Sequence, residues 1–235
     1  MGKTEVVTDE GFRIDGRRAH ELRRVVCTVG GESYVADGEA MIDTGNTKCL
    51  VRVFGPREPT VRSNVLLERA SVVVDFNLAA FSSGERKQKL RQDKRLLEMA
   101  SLIKSTFEAA ILTQSFPRSE IAIQIQILQF DGGSLHAAIN TTTLALMNAG
   151  IPMLDFVVAS SAGFANGTTI LDVNYTEESM DVPTLSLAMM PRSGKVVLLN
   201  LESRLHLNEF EGVLRLAKEG CTRMYGILDE AVRRN

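Results

Sequence analysis

The residues from Gln129 to His136 have the types and the spacing to bind an anion. Gln129-Phe130 ends a strand, Asp131-Gly132-Gly133 makes a turn, and Ser134-Leu135-His136 opens a helix. Backbone N–H groups converge at such a helix start and the peptide dipoles favour negative charge there, so the geometry suits phosphate. Phosphate chemistry also wants a cation. The residue after the serine is Leu135, which offers neither a donor nor a charge. Read for structure alone, the stretch is a tight strand-to-helix connection that needs glycine at positive φ.

Two basic clusters have the charge to hold nucleic-acid phosphates. One is Arg57 with Arg62; the other is Arg86, Lys87, Lys89, Arg91, Lys94 and Arg95. Neither has an aromatic interleaved, so the contacts expected are salt-sensitive and sequence-independent rather than base stacking. The competing reading of each is a solvated, charged loop. Asp172 and Glu177 read as solvated or turn-capping acids, and His20, His136 and His206 as structural or surface residues. Cys27, Cys49 and Cys221 fit no metal spacing and read as small buried side chains in a reducing compartment.

These residues need a scaffold. Arg24 to Val29, Tyr34 to Asp43, Lys48 to Phe54 and Ser71 to Asn77 are β-prone, with a tight turn at Thr44-Gly45-Asn46-Thr47. Gly55-Pro56-Arg57-Glu58-Pro59 is expected as a loop, because proline removes a ladder donor. From Asp93 the period changes, and Leu96, Met99, Ala100, Ile103, Phe107 and Ile111 fall on one helical face. Ile121, Ile123, Ile125 and Ile127 alternate as a strand. Ser134 is placed to cap a helix that stops at Gly150. Phe156 to Phe164, Thr168 to Val173, Leu185 to Met190 and Val196 to Leu201 are strands, the first pair joined by Asn166-Gly167. A long amphipathic helix with Phe210, Leu214, Ala217, Cys221, Met224, Leu228 and Val232 on its apolar stripe follows. Each half is thus strands followed by a helix, and one α/β unit with two sub-lobes results.

The chain has 235 residues, 44% hydrophobic and 24% charged, with a net charge of −2. That balance is ordinary for a globular protein and excludes a global attraction to nucleic acid; any RNA contact has to be local. No apolar run reaches the roughly 20 residues of a membrane span, and the first residues lack a signal-peptide core. A cytosolic or nuclear protein is expected.

Four blocks in order carry a family resemblance. They are Phe12-Arg13-Ile14-Asp15-Gly16-Arg17-Arg18 with Glu21-Leu22-Arg23; Gly45-Asn46-Thr47-Lys48 with Gly55-Pro56-Arg57-Glu58-Pro59; Gln129 to Gly133; and Ala145 to Met153. Together they resemble the ribonuclease PH superfamily, and within it the core-ring subunits of the eukaryotic RNA exosome. The resemblance implies a ribonuclease PH fold, α/β of the α+β type, with mixed sheets flanked by helices. It implies an N-terminal segment over 1–20, a first half over 21–150 and a second half over 151–235. It also implies a six-membered ring of paired subunits with single-stranded RNA in the channel.

Active relatives cleave the terminal RNA linkage with inorganic phosphate. They need cations and N–H groups around two anions, and a carboxylate pair. The resemblance places an arginine of those relatives at Leu135 and their two aspartates at Glu178 and Thr184. It assigns RNA phosphate contacts to Lys94 and Arg95 and a channel-entrance position to Arg57 and Arg62. The expectation is a ring subunit that has lost the reaction, with no metal site and no cofactor. It would support 3′–5′ processing and decay of ribosomal and messenger RNA in nucleus, nucleolus and cytoplasm. Its expected partners are other ribonuclease PH-type ring subunits, S1/KH-type cap subunits and a hydrolytic 3′–5′ exoribonuclease. Two alternatives stay open: an active phosphate-dependent 3′–5′ exoribonuclease, and a fold relative with no RNA role.

Overall fold

The computed structural model describes residues 6–8, 10–31, 35–59, 65–84 and 93–234. A five-stranded sheet is built from β1 (Val25–Val29), β2 (Gly38–Thr44), β3 (Thr47–Arg57), β4 (Ser71–Leu78) and β5 (Glu120–Gln129), in the spatial order β1-β2-β3-β5-β4. A four-stranded antiparallel sheet is built from β6 (Val158–Ala165), β7 (Thr168–Leu171), β8 (Thr184–Met190) and β9 (Lys195–Leu201), in the order β7-β6-β8-β9. The helices are α1 (Lys94–Ala110), α2 (Ser134–Asn148), α3 (Tyr175–Glu178) and α4 (Leu207–Arg234).

The isoleucines expected to line one face of β5 do so: Ile121, Ile123, Ile125 and Ile127 are all fully buried. β5 pairs antiparallel with β3 and parallel with β4, and α1 makes the crossover between β4 and β5. A parallel pair requires such a crossover, which explains the helix between two strands of one sheet. Asp93 caps α1 by accepting from Arg95 N–H at 3.1 Å.

The two sheets meet on α2. That helix packs on β2 and β3 from one side and β6 from the other, and every residue from Ser134 to Leu146 is buried. In a helix enclosed all round, unpaired polar groups are costly, and most here are paired. Thr141, Thr142 and Thr143 donate their hydroxyls to the carbonyls of Ala137, Ala138 and Ile139. Asn140 donates Nδ2–H to Ala159 O at 2.9 Å and accepts from Ala159 N–H at 2.8 Å. Its amide thus takes the place of a neighbouring strand at β6, beyond the reach of the short β7.

Three expectations need correction. The segment Gly55 to Pro59 is not wholly a loop: β3 continues to Arg57, which pairs with Glu120 across a register shift after Phe54. The bulge lets the strand pass Pro56, which has no donor to give. Ser134 does not cap α2; Gly133, in the left-handed region, holds the N-cap position, and the Ser134 hydroxyl points to Met99 Sδ at 3.8 Å. The strand expected from Tyr34 begins at Gly38, and Tyr34 itself lies outside the described residues.

Asn140→Ala strips two bonds and leaves a buried N–H and C=O unpaired. Urea denaturation should show a loss of about 2–4 kcal/mol; a change under about 0.5 kcal/mol would mean that the sheets do not depend on this bridge.

Candidate functional site

The glycine turn is gripped from two sides. The β2–β3 hairpin holds it through Thr47, whose Oγ1 accepts from Asp131 N–H (3.1 Å) and donates to Gly132 O (2.9 Å), and through Asn46, whose Nδ2–H donates to Asp131 Oδ2 (3.1 Å). Arg23 reaches it from the N-terminal segment and donates Nη1–H to Asp131 O at 2.7 Å. Gly133 has φ +67°, and a Cβ there would stand 2.1 Å from His136 Cε1. No other residue type fits.

Arg23 is itself held by Asp172, through Nη2–H to Oδ1 at 2.7 Å and Nε–H to Oδ2 at 3.0 Å. His136 Nε2 lies 3.4 Å from the same carboxylate. Burial pushes the Asp172 carboxyl up, but the Arg23 charge and hydrogen bonds from His136 and Arg23 outweigh it, and the group stays well below the usual range. Next along the chain, Glu177 is fully buried against Arg13, with Arg13 Nε–H donating to Oε1 at 2.7 Å. Glu177 also closes a capping box with Asn174. The reading of these acids as solvated is therefore corrected: both are buried and ion-paired, and only the capping role of Glu177 stands. His136 gains an acid partner that its sequence neighbourhood does not contain. The three cysteines are free thiols; burial pushes Cys49 and Cys221 up to about 12 and Cys27 up to about 11.

The arrangement places α3 and its flanks directly over the turn. Gly133 N–H donates to Glu178 Oε1 at 3.0 Å. Burial raises the Glu178 carboxyl above its ordinary value and Glu202 adds to this, against the opposing pull of Gly133 N–H, His136 and Arg95. Around it a cleft of about 30 Å³ is lined by Arg95 from α1, Leu135 from α2, Ser161 from β6, and Thr184 and Ser186 from β8. Leu135 is 5% exposed and belongs to the main core.

Of the residues singled out from sequence, Leu135, Glu178, Thr184 and Arg95 converge here. Lys94 is exposed beside Arg95 at the start of α1. Arg57 is elsewhere, at the far end of β5, a separation of roughly 30 Å at strand rise. It sits 3.6 Å from Glu120 and its guanidinium lies 5.7 Å from the Phe54 ring centre. Arg62, with Arg86, Lys87, Lys89 and Arg91, lies outside the described residues. Among the described residues no group of three or more His, Cys, Asp or Glu side chains is arranged to hold a metal ion. Arg23 and Thr47 were not singled out for a role, although both lie in the blocks that carry the resemblance. Their function depends on contacts across 149 and 85 positions, which no local spacing reveals.

A two-sheet fold with a glycine turn between its halves is that of a ribonuclease PH-type protein, and the comparisons agree. The chain matches the 3′ exoribonuclease family, domain 1, over residues 21–152 and domain 2 over residues 155–220, and it belongs to that family. It is 47% identical to the mouse exosome complex component RRP41 and 35% identical to the exosome complex component SKI6 of Saccharomyces cerevisiae. Each alignment covers 100% of this chain and 96% of the relative. Among solved structures it is similar to rice Rrp46, with a TM-score of 0.80 at 25% identity over 92% of this chain and 98% of that one. It also shares its fold with a chain of the Archaeoglobus fulgidus exosome with RNA bound to the active site, with a TM-score of 0.78 at 20% identity over 92% of each. No helix among the described residues is long and apolar enough to cross a membrane.

Asp172→Asn leaves Arg23 buried beside a neutral partner, and should cost about 3–5 kcal/mol near neutral pH. The folded carboxyl is depressed, so its contribution is present above the ordinary value of 3.8 and is lost as pH falls through the folded value. Urea denaturation from neutral to acid pH should show the two proteins converging only in the acid range; a gap that does not narrow there would contradict the assignment. Glu178 has the opposite sign. Its folded carboxyl is raised, so protonation favours the fold, and that contribution fades as pH rises from 4.5 through the folded value. Glu178→Gln, which keeps an acceptor for Gly133 N–H, should raise the urea midpoint at neutral pH, with the advantage disappearing below pH 4.5.

Proposed function

We propose that this chain is a non-catalytic core-ring subunit of an RNA exosome. It would form part of the scaffold and of the channel through which single-stranded RNA passes for 3′–5′ processing and decay. The observation that carries the loss of chemistry is the Gly133 N–H donating to Glu178. The donor that would face an incoming phosphate already faces the chain's own carboxylate. Leu135 supplies no cation to draw a second anion in, and Thr184 supplies no second carboxylate. Loss of one preorganised donor costs about 10²–10³ in rate; here donor, cation and acid are compromised together.

The exosome assignment is supported by full-length similarity to exosome components at 35–47% identity. Other ribonuclease PH-type ring subunits would be its neighbours, with S1/KH-type caps on one face and a hydrolytic 3′–5′ exoribonuclease docked to the ring. The complex would act in nucleus, nucleolus and cytoplasm. The halves at 21–150 and 151–235 would be one structural unit, joined through α2.

In this reading Lys94 and Arg95 hold RNA phosphates at the mouth of the cleft, and Arg57 and Arg62 contact RNA at the channel entrance. Arg57 is half exposed beside Glu120 and above Phe54, a pairing that RNA would have to displace. Glu120 is buried, with its side chain 6% exposed, so RNA would have to compensate a carboxylate left without its cation. The second reading, an active phosphorolytic exoribonuclease, keeps one observation in its favour: Glu178 is still a carboxylate with a raised pKa.

Two measurements follow. The assembled ring, given single-stranded RNA and orthophosphate, should release no nucleoside diphosphate above a no-enzyme control. Release that is abolished by Glu178→Gln would establish the second reading. Replacing Lys94 and Arg95 by alanine should weaken RNA binding and flatten the dependence of log K on log salt by about 0.7 per lost phosphate contact; an unchanged slope would remove this pair from the RNA path.

A further inference from the structure

We infer that Phe81 is a stacking platform for one base of single-stranded RNA, a short way upstream of the 3′ end. The inference deepens the RNA-channel reading and rests on it, since it takes the RNA end to lie at the glycine turn.

Phe81 is 73% exposed. A lone exposed apolar residue is commonplace; the surroundings of this one are not. It sits on a turn between β4 and the start of α1 that is fastened at both sides. Ala79 N–H donates to Ile127 O (3.0 Å), Ser82 N–H to Ala79 O (2.9 Å), and Phe130 N–H to Ser82 O (2.8 Å). The ring is therefore presented on a backbone tied to the end of β5, and little ordering is left to be done when a base arrives.

Phe81 shares a shallow groove of about 500 Å³ with Lys48 and Phe130. A second groove of about 500 Å³ continues from Phe130 to Arg95, and the small cleft holding Glu178 and Thr184 is also lined by Phe130 and Arg95. One surface track thus runs from a lysine, past an exposed aromatic, to an arginine at the glycine turn. Lys48 is 43% exposed and its contact to Asp43 is long, at 3.8 Å, so its charge is available to a phosphate. Asp75 and Asp93 also line the second groove, but Asp93 is engaged in capping Arg95 N–H.

The occupant is read from this chemistry. Cations at the two ends suit a polyanion, and an aromatic face between them suits a base. Stacking accepts every base, because each has a π-face. The basic clusters picked out in the sequence have no interleaved aromatic; the fold supplies one from a different segment.

The test uses the assembled ring and a fluorescent single-stranded oligouridylate. Phe81→Ala should weaken binding about 5- to 150-fold. Phe81→Leu should lose nearly as much, because it keeps the apolar contact and loses the π-face, while Phe81→Tyr should bind within about twofold of the parent ring. An abasic unit walked along the RNA should reproduce the loss at one position in the parent ring and add nothing in Phe81→Ala. Phe81→Leu binding like the parent, or an abasic effect that persists unchanged in Phe81→Ala, would overturn the inference. So would failure of Phe81→Ala to assemble while the abasic walk leaves the parent ring unaffected, which would make this surface a subunit contact. The salt slope of the Lys94 and Arg95 variant reports separately on the basic pair, so a failed stacking site and a failed RNA path give different results.

Discussion

An anion at the start of α2 is the constraint around which the site is organised, and in this protein the anion is built in. Gly133 N–H donates to Glu178, a carboxylate carried in on α3 from the other half of the fold. The same helix start that would polarise an incoming phosphate instead steadies a side chain that burial makes costly to ionise. Leu135 alongside contributes no charge, and Arg95 from α1 is a cation lining the cleft. In the proposed reading, the fold of an exoribonuclease is kept while the anion-binding turn is given over to the chain's own carboxylate.

The frame beneath the turn is ionic. Arg23 joins three segments: its own N-terminal stretch, the turn through Asp131 O, and the second sheet through Asp172. Arg13 does the same for α3 through Glu177. Buried ion pairs give little net stability against a well-packed apolar alternative, but removing one partner is severe. Their value here lies in position. They fix the glycine turn and the helix α3 carrying Glu178 to the same few side chains, so that the distance between them is set by charged groups with short, directional bonds. Among the described residues, α2 supplies the apolar counterpart, with Asn140 as its polar bridge.

Most of the architecture was legible from periodicity, because burial on one face leaves a period in the sequence. The isoleucines of β5, the stripe of α1 and the Asn166-Gly167 hairpin are examples, the last with φ +48° and +79°. What escaped were features decided by partners distant in sequence. β3 runs on past Pro56 because a bulge against β5 absorbs the missing donor. Asp172 and Glu177 looked solvated because the arginines that neutralise them lie about 150 or more residues away. At the site, the convergence of Leu135, Glu178 and Thr184 follows positions marked by the family resemblance, yet the bond from Gly133 to Glu178 had no signature in spacing. Phe81 escaped for the same reason: it shares a groove with Lys48 only in the folded chain.

The occupied turn can be interrogated directly by following the Gly133 backbone amide by nuclear magnetic resonance while orthophosphate is titrated into the isotopically labelled chain within its ring. The account predicts a resonance that stays in place through millimolar phosphate, because its acceptor is already present. A saturable shift at Gly133, with Glu178 released in the same titration, would contradict it.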